Sequence, residues 1–380
     1  MRIALAVLCA VTLVSYALAQ VRGLPADEAS PADTGLLRLM SLAGVLLVAN
    51  DGVDTRERLA ALMHRVALAG GLMAALGIAQ FFTGQSWIAS IELPGFSSDV
   101  DLASLQSRSG FIRPSGTATH PLEYAAVLAA AFPIAVTAAI HGTVRGRVRR
   151  WLPVVAIATA TVLSVSRSAP LGVAVGALVL LPTWSRRVRR RAAVSAALLL
   201  GVVYVTVPGM IGTLRNLFVG ARSDPSTISR TSSYDLAVEI AGRHVWFGRG
   251  FGTFLPAYRI LDNQYLQTLI EIGLIGLAAL LALIATATAC AVRARRFAAL
   301  PHDREVAVAL VASTTSVAAL FAFFDAFMFP MAVGILFLLI GMCGAARNVL
   351  GEDESPAGDS PARTLGRSAG SVSPGHRSGP

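Results

Sequence analysis

Ten apolar stretches follow one another along the chain, at roughly 3–20, 35–50, 61–83, 121–140, 151–165, 169–183, 192–211, 265–290, 305–324 and 327–346. A helix of about 20 residues crosses the hydrocarbon core of a bilayer, and inside that core every backbone N–H and C=O must find its partner within the segment. Repeated runs near this length therefore point to an all-α bundle in a membrane rather than to a soluble core. Charge agrees: 54% of the 380 residues are hydrophobic and 14% are charged, against about a quarter charged in a soluble domain. The expected fold is an all-α polytopic integral membrane protein with about ten transmembrane helices, its membrane domain occupying residues 1–346. The first stretch follows Arg2 and ends near Ala17, Leu18 and Ala19, a pattern shared with signal peptides. With so many later spans, a retained helix is the better reading.

Arginine sets the orientation. All 32 basic residues are arginine, and the formal net charge is +10. A basic chain can signal nucleic-acid binding, but most of these arginines lie between apolar stretches, where the positive-inside rule accounts for them. No nucleic-acid partner is expected. Clusters stand at Arg145, Arg147, Arg149 and Arg150, at Arg186, Arg187, Arg189, Arg190 and Arg191, and at Arg293, Arg295, Arg296 and Arg304. If all three are cytoplasmic, an even number of crossings separates each pair. The segment from Trp151 to Trp184 would be about 51 Å long as one helix, too long for a single crossing. It reads as a hairpin with Ser166, Arg167 and Ser168 at its outer tip.

Both termini then face the cytoplasm of a multi-pass protein of the cytoplasmic membrane. Three segments face outward: about 84–120, the tip at Arg167, and about 212–264. Residues 347–380 are rich in Gly, Pro, Ser and charge; lacking an apolar face to bury, they read as a disordered cytoplasmic tail. Cys9, Cys290 and Cys343 lie in or beside apolar stretches, too few and too scattered for a disulfide framework or a thiolate metal site. They read as small core hydrophobes, and neither a metal nor a cofactor is expected.

The outward segments carry more arginine than insertion alone would place there. Residues 212–264 hold Arg215, Arg222, Arg230, Arg243, Arg249 and Arg259 against Asp224, Asp235, Glu239 and Asp262; the earlier loop adds Arg108 and Arg113. Some of these can snorkel to headgroups or pair with the loop's own acids. Arg167 is harder to explain that way, because it stands between two short apolar runs, where a charge costs about 2.5–3.5 kcal/mol to insert. Such a position suggests a polar cavity or an anionic partner. Guanidinium groups bind phosphate oxygens bidentately, and a cluster of them at the outer face suits a lipid-linked pyrophosphate. Positioning and charge stabilisation would then supply most of the catalysis, since diphosphate is already a good leaving group.

Within the long loop, Tyr234, Leu236, Ala237, Ile240 and Ala241 recur at helical spacing, which predicts an amphipathic helix over about 224–247, lying on the membrane surface. It leads to Gly248-Arg249-Gly250-Phe251-Gly252, a turn whose backbone can approach a ligand closely. Asp262, Asn263, Gln264, Tyr265 and Gln267 then enter an apolar helix. Asp262 can cap that helix or take a proton from an attacking sugar hydroxyl, and the two roles are compatible. His120 stands just before Pro121 at the start of the fourth apolar stretch, as a boundary residue or a site residue.

The sequence resembles the O-antigen ligase and polymerase superfamily. The resemblance rests on GRGFGTF at 248–254, LDNQYLQTLIEIGLIGL at 261–277 with Glu271 and Gly273, RPSGTATHPLEYA at 113–125, SVSRSAP at 164–170, DPSTISR ending in Arg230, and Asp325 before the last helix. It implies a metal-independent membrane glycosyltransferase with a helical fold of the GT-C type, acting on undecaprenyl-pyrophosphate-linked glycans. Carried over, it makes Arg113, Arg167 and Arg230 phosphate clamps, with Arg249 a fourth. Asp262 occupies the place of the family's acceptor-activating histidine, a departure that favours polymerising repeat units of a surface polysaccharide over ligating them to another acceptor. Catalytic roles are thus expected for Asp262, Arg167 and Arg230, and substrate contacts for Arg113, Arg249, Arg108, His120, Asn263, Tyr265, Gly250 and Gly252. The implied partners are the lipid-linked oligosaccharide donor, a glycan acceptor and polysaccharide-assembly proteins. A transporter of lipid-linked glycans stays open as a different class; its site would sit near mid-membrane between broken helices.

Overall fold

The computed structural model describes residues 1–90, 105–108, 110–142, 146–219 and 225–350. Among these, twelve α-helices carry the fold: α1 (Arg2–Arg22), α2 (Ala26–Gly52), α3 (Arg56–Thr83), α4 (Pro121–His141), α5 (Arg147–Leu163), α6 (Ser168–Leu180), α7 (Arg186–Thr206), α8 (Met210–Val219), α9 (Pro225–Arg243), α10 (Gln264–Phe297), α11 (Pro301–Leu320) and α12 (Pro330–Leu350). One two-stranded antiparallel hairpin, β1 (Ser107–Arg108) with β2 (Phe111–Ile112), pairs Ser107 with Ile112 and Arg108 with Phe111. Each of the ten apolar stretches is a helix, and α8 and α9 lie in the long loop. The protein is an all-α polytopic membrane protein.

Six helices, α1, α2, α3, α4, α10 and α12, are long and apolar enough to cross a membrane by length and composition. The other four apolar stretches fall short for local reasons. Helix α5 has 17 residues and opens on arginines, α6 has 13, α7 opens on Arg186, Arg187, Arg189, Arg190 and Arg191, and α11 opens on Asp303, Arg304 and Glu305. The core sits around α4 and α12, whose apolar residues are buried almost all round. Small side chains make this possible: Gly70 of α3 faces Ala131, Gly172 of α6 faces Ala129, and Gly341 of α12 faces the Leu46 carbonyl. In a bilayer, van der Waals contact between closely approaching helices replaces the hydrophobic drive.

Contacts at the helix ends sort the bundle into two ends. At one, Arg2 pairs with Asp51 at 3.1 Å, Arg56 pairs with Asp303 at 3.4 Å, and Gly344 lies against Asn50 and Met1. The starts of α5, α7 and α11 and the end of α10 belong here, so the three arginine clusters share this end; Arg145 itself lies outside the described residues. The opposite end gathers the β-hairpin, the α5–α6 tip, α8, α9, the glycine-rich turn and the α11–α12 turn. Helix α12 continues past Arg347 to Leu350, which is buried. The first four residues of the expected tail, 347–350, are thus helical, and residues 351–380 lie outside the described residues.

Candidate active site at the loop end of the bundle

The loop carrying Arg113 is built onto the end of α3. Buried Gln80 donates to the Gly116 carbonyl at 2.9 Å and accepts from the N–H groups of Gly116 at 2.8 Å and Ser115 at 3.2 Å. Phe111 stacks on Phe81 at 6.2 Å. Arg113 is thereby tucked against the protein. It donates to Gln106 Oε1 at 3.1 Å, while its buried Nε finds no acceptor among the described residues. Desolvation, with the like charge of Arg108 adding to it, pulls the Arg113 guanidinium down to about 10.

His120 sits beside this loop. Its Nδ1 accepts the Leu122 N–H at 3.1 Å, capping α4, and its ring lies 5.4 Å from Phe329. Burial, and then the charge of Arg113, pushes the imidazole down to about 4. The ring is therefore neutral near pH 7, and with Nδ1 accepting, the proton resides on Nε2, where it can donate. His120 thus caps α4 beside Arg113 and keeps Nε2–H as its donor group.

Arg167 stands at the start of α6, after a tip in which Ser164, Val165, Ser166 and Ser168 are all buried. Val165 takes a left-handed φ of 46°, and the hydroxyls of Ser166 and Ser168 bond at 2.7 Å. Val165 and Phe111 pack on one small apolar cluster with Phe81, Leu163 and Val203. The residues two positions before Arg113 and Arg167 thus share a footing, which sets both arginines at the same end of the bundle. Arg230 falls within α9, and its side chain lies outside what is described.

Between α9 and α10 the chain re-enters the bundle. Helix α10 is interrupted at Gly273 (φ 70°, ψ −171°), about 14 Å along from its start at 1.5 Å per residue. The segment after α9 docks into the break: Arg249 and Gly250 donate to the carbonyls of Ile270 and Glu271, at 2.9 and 3.0 Å, while Leu274 and Ile275 donate to those of Val245 and Trp246, at 2.8 and 3.3 Å. Non-helical backbone within a membrane bundle is tolerated where protein satisfies it, and here the chain does so itself. The Glu271 carbonyl reinforces the arrangement by also accepting the Ser15 hydroxyl of α1 at 2.8 Å.

This docking gives several of the expected site residues partners within the chain. Gly250 closes on Ala19, and Gly252 closes on Pro31 and Ala32, so the glycines allow approach to α1 and α2. Arg249 meets Glu28 at 2.5 Å, with its guanidinium 5.4 Å from the centre of the Tyr258 ring; its charge already has a carboxylate. Helix α9 ends at Arg243 rather than near 247, because His244 turns the chain toward the α10 break. One face of it packs on the bundle. Ala237 and Ala241 are buried with Phe254, Leu261 and Ile270, while Tyr234 is exposed.

The turn between α11 and α12 ties these parts together. Asp325 accepts the N–H groups of Asn263 at 3.0 Å and Leu261 at 3.1 Å. Gln264 accepts the Phe327 N–H at 2.7 Å, and the Tyr265 hydroxyl donates to the Ala318 carbonyl at 2.6 Å. Glu123, fully buried, accepts from Thr119 twice at 2.9 Å and from the Met331 N–H at 2.7 Å. The cap of α10 is Asn263, whose side chain accepts from Tyr265 and Leu266, and not Asp262. The reason is backbone geometry: Asp262 takes a left-handed φ of 52°, which carries its side chain out of the capping position. Asn263 and Tyr265 are thus engaged with their own chain.

Gln80 carries no role in the sequence reading, and Glu123 and Gln264 enter it only within the motifs at 113–125 and 261–277. Each is a polar residue in an apolar helix, and that signal was available, because a buried polar group in a bilayer bundle must be satisfied.

Fold and site together define a polytopic membrane protein that collects arginines, a neutral histidine and a re-entrant glycine-rich turn at one end of a helical bundle. Residues 152–281 match the family model described as O-antigen ligase, which supports placing the chain in the O-antigen ligase-like superfamily. The matched segment includes Arg167, Arg230, Arg249 and Asp262 and stops short of Asp325. No curated protein matches the sequence.

Proposed function

We propose that the chain is a glycosyltransferase that polymerises lipid-pyrophosphate-linked repeat units of a surface polysaccharide at the outer face of the cytoplasmic membrane. The family match supports glycan processing of the ligase or polymerase type on lipid-linked donors. The observation that carries the finer reading is Arg113, half-sunk beside Arg108 with its Nε unsatisfied among the described residues, at the end of the bundle that also bears Arg167. Two like charges held together with buried donor capacity suit a polyanion such as a pyrophosphate.

In this reading Arg113, Arg167 and Arg230 hold the donor pyrophosphate, with Arg108 and the Nε2–H of His120 beside it. The acceptor hydroxyl attacks the anomeric carbon and yields its proton to Asp262. The bond from that carbon to the phosphate oxygen breaks, and the pyrophosphate leaves with the electron pair, its charge held by the arginines. A break in a spanning helix is also a transporter device, but the groups freed at Gly273 are bonded to residues 245–250, which argues for a sealed joint rather than an ion site.

The test is reconstitution of the purified chain with the native undecaprenyl-pyrophosphate oligosaccharide, following glycan length and undecaprenyl-pyrophosphate release, with Arg167→Ala alongside. A ladder of longer glycans that disappears in the variant is the expected result. A single transfer to a different acceptor would make it a ligase, and no release from folded protein would move transport to the front.

A further inference from the structure

The end of the bundle opposite the candidate active site contains a cleft that plays no part in the reading above. It opens between the first turns of α3, the last turns of α4 and the starts of α5 and α11, with a volume of about 150 Å³. Four basic side chains line it: His64, Arg149, Arg150 and His302. Its remaining wall is largely apolar, with Met63, Leu68 and Ile134 among the lining residues, and none of the lining residues is a carboxylate. The acid next to His302, Asp303, is turned to Arg56 at 3.4 Å. Arg150 is fixed by a bond from its Nη1 to the Gly142 carbonyl, while its buried Nε has no acceptor among the described residues.

Such a site combines a concentrated positive charge with unsatisfied donor capacity beside a bilayer. Its volume is below the ~300–1,000 Å³ of pockets that enclose a whole small molecule, so it can take a headgroup and no more. Two of the helices that frame it also carry exposed apolar side chains: Leu68, which lines the cleft, and Leu72 on α3, and Leu152 and Val155 on α5. Acyl chains can lie along them while the headgroup sits in the cleft. Basic pockets between spanning helices recognise anionic headgroups through the same charge and donor pattern.

We propose that this cleft seats the phosphate of an anionic membrane lipid from the leaflet at the arginine-rich end, held by Arg149, Arg150, His64 and His302. The lipid pins the start of α5 against α3, α4 and α11.

Native mass spectrometry of the full chain in detergent, titrated separately with phosphatidylglycerol, phosphatidylcholine of the same chains, and inorganic phosphate, tests this. Phosphatidylglycerol is expected to be retained roughly tenfold more than phosphatidylcholine, with that excess lost in Arg149→Gln/Arg150→Gln. Arg295→Gln/Arg296→Gln, at the same end but outside the cleft, should keep it. Because Arg150 also holds Gly142, His64→Gln/Arg149→Gln is read in parallel; it leaves that bond in place and should also lose the excess. Equal retention of the two lipids, equal loss in the Arg295/Arg296 variant, or retention unchanged in both cleft variants overturns the proposal. Inorganic phosphate that displaces the lipid at equal concentration overturns the lipid assignment in favour of a water-borne anion.

Discussion

The carboxylate of Asp325 accepts the backbone N–H of Asn263 at 3.0 Å, a contact that holds Asp262, with φ of 52°, in the turn just ahead of α10. Asp325 thus acts on the proposed acceptor site by positioning it. In Asp325→Asn a single carbonyl oxygen replaces two acceptor oxygens, so the turn loses a bond worth about 1–3 kcal/mol when buried. The expected outcome is a fall in transfer of roughly ten- to a hundredfold, with the spans intact by circular dichroism. A matching fall in thermal stability large enough to unfold the bundle would make Asp325 a purely structural residue.

Asp325 also sets a pH dependence. Burial raises its carboxyl above the usual aspartate range; the Asn263 N–H works against that, and the Asp262 charge works with it. From the ordinary aspartate value up to the raised one, the folded state keeps a proton that the unfolded state has released. Stability from this group is therefore greatest below the window and falls as pH rises through it. His120 runs the opposite way. Its folded value of about 4 lies below the ordinary ~6.5, so its contribution is full above the ordinary value and is lost as pH falls toward the folded one. Unfolding measured against pH should show the first slope removed in Asp325→Asn and the second removed in His120→Asn.

Arg113 should show a trade of stability for function. Its guanidinium is desolvated beside Arg108, and its Nε lacks an acceptor among the described residues. Arg113→Gln relieves that repulsion while keeping an amide for the Gln106 neighbourhood. Unchanged or raised thermal stability is expected, with transfer down about a hundredfold or more if the residue stabilises charge in the transition state. Loss of stability with transfer unchanged would remove Arg113 from the site.

Gly273 supplies the break in α10. Its φ of 70° and ψ of −171° lie where only glycine is comfortable, and a side chain would run into the Trp246 carbonyl. Gly273→Ala should cost at least ~1–3 kcal/mol of backbone strain and expel the 245–250 segment, seen as protease cleavage between α9 and α10. A variant as stable and as protected as the parent would show that the break is not needed to seat this segment.

How much of this could be read in advance divides along physical lines. Helix positions were legible because the bilayer imposes a length and a polarity on each span, and α1, α4 and α12 lie close to their apolar stretches. The grouping of Arg149, Arg186 and Arg293 at one end was legible for a related reason, since charge is costly to move across hydrocarbon. The re-entrant turn was not. Glycines at 248, 250 and 252 announce close approach without saying to what, and the partners, Ala19, Ala32 and the Glu271 carbonyl, are far away in sequence. Likewise Asp262 and Asn263 are both good caps by residue type; only the left-handed backbone at Asp262 decides between them.

Arg249 offers the sharpest separation of a binding role from a structural one. It reaches Glu28 at 2.5 Å, and Glu28 is 3% exposed while also taking the Tyr258 hydroxyl at 2.7 Å. Arg249→Gln leaves that carboxylate buried without its cation, which costs about 3–5 kcal/mol when a buried pair is broken on one side. Replacing both, as Glu28→Gln/Arg249→Gln, removes the stranded charge and should recover most of that loss. Transfer by the double variant then decides the role. Activity returning with stability would place Arg249 in the joint between α2 and the glycine-rich turn, and activity staying low in a restored fold would return it to the pyrophosphate.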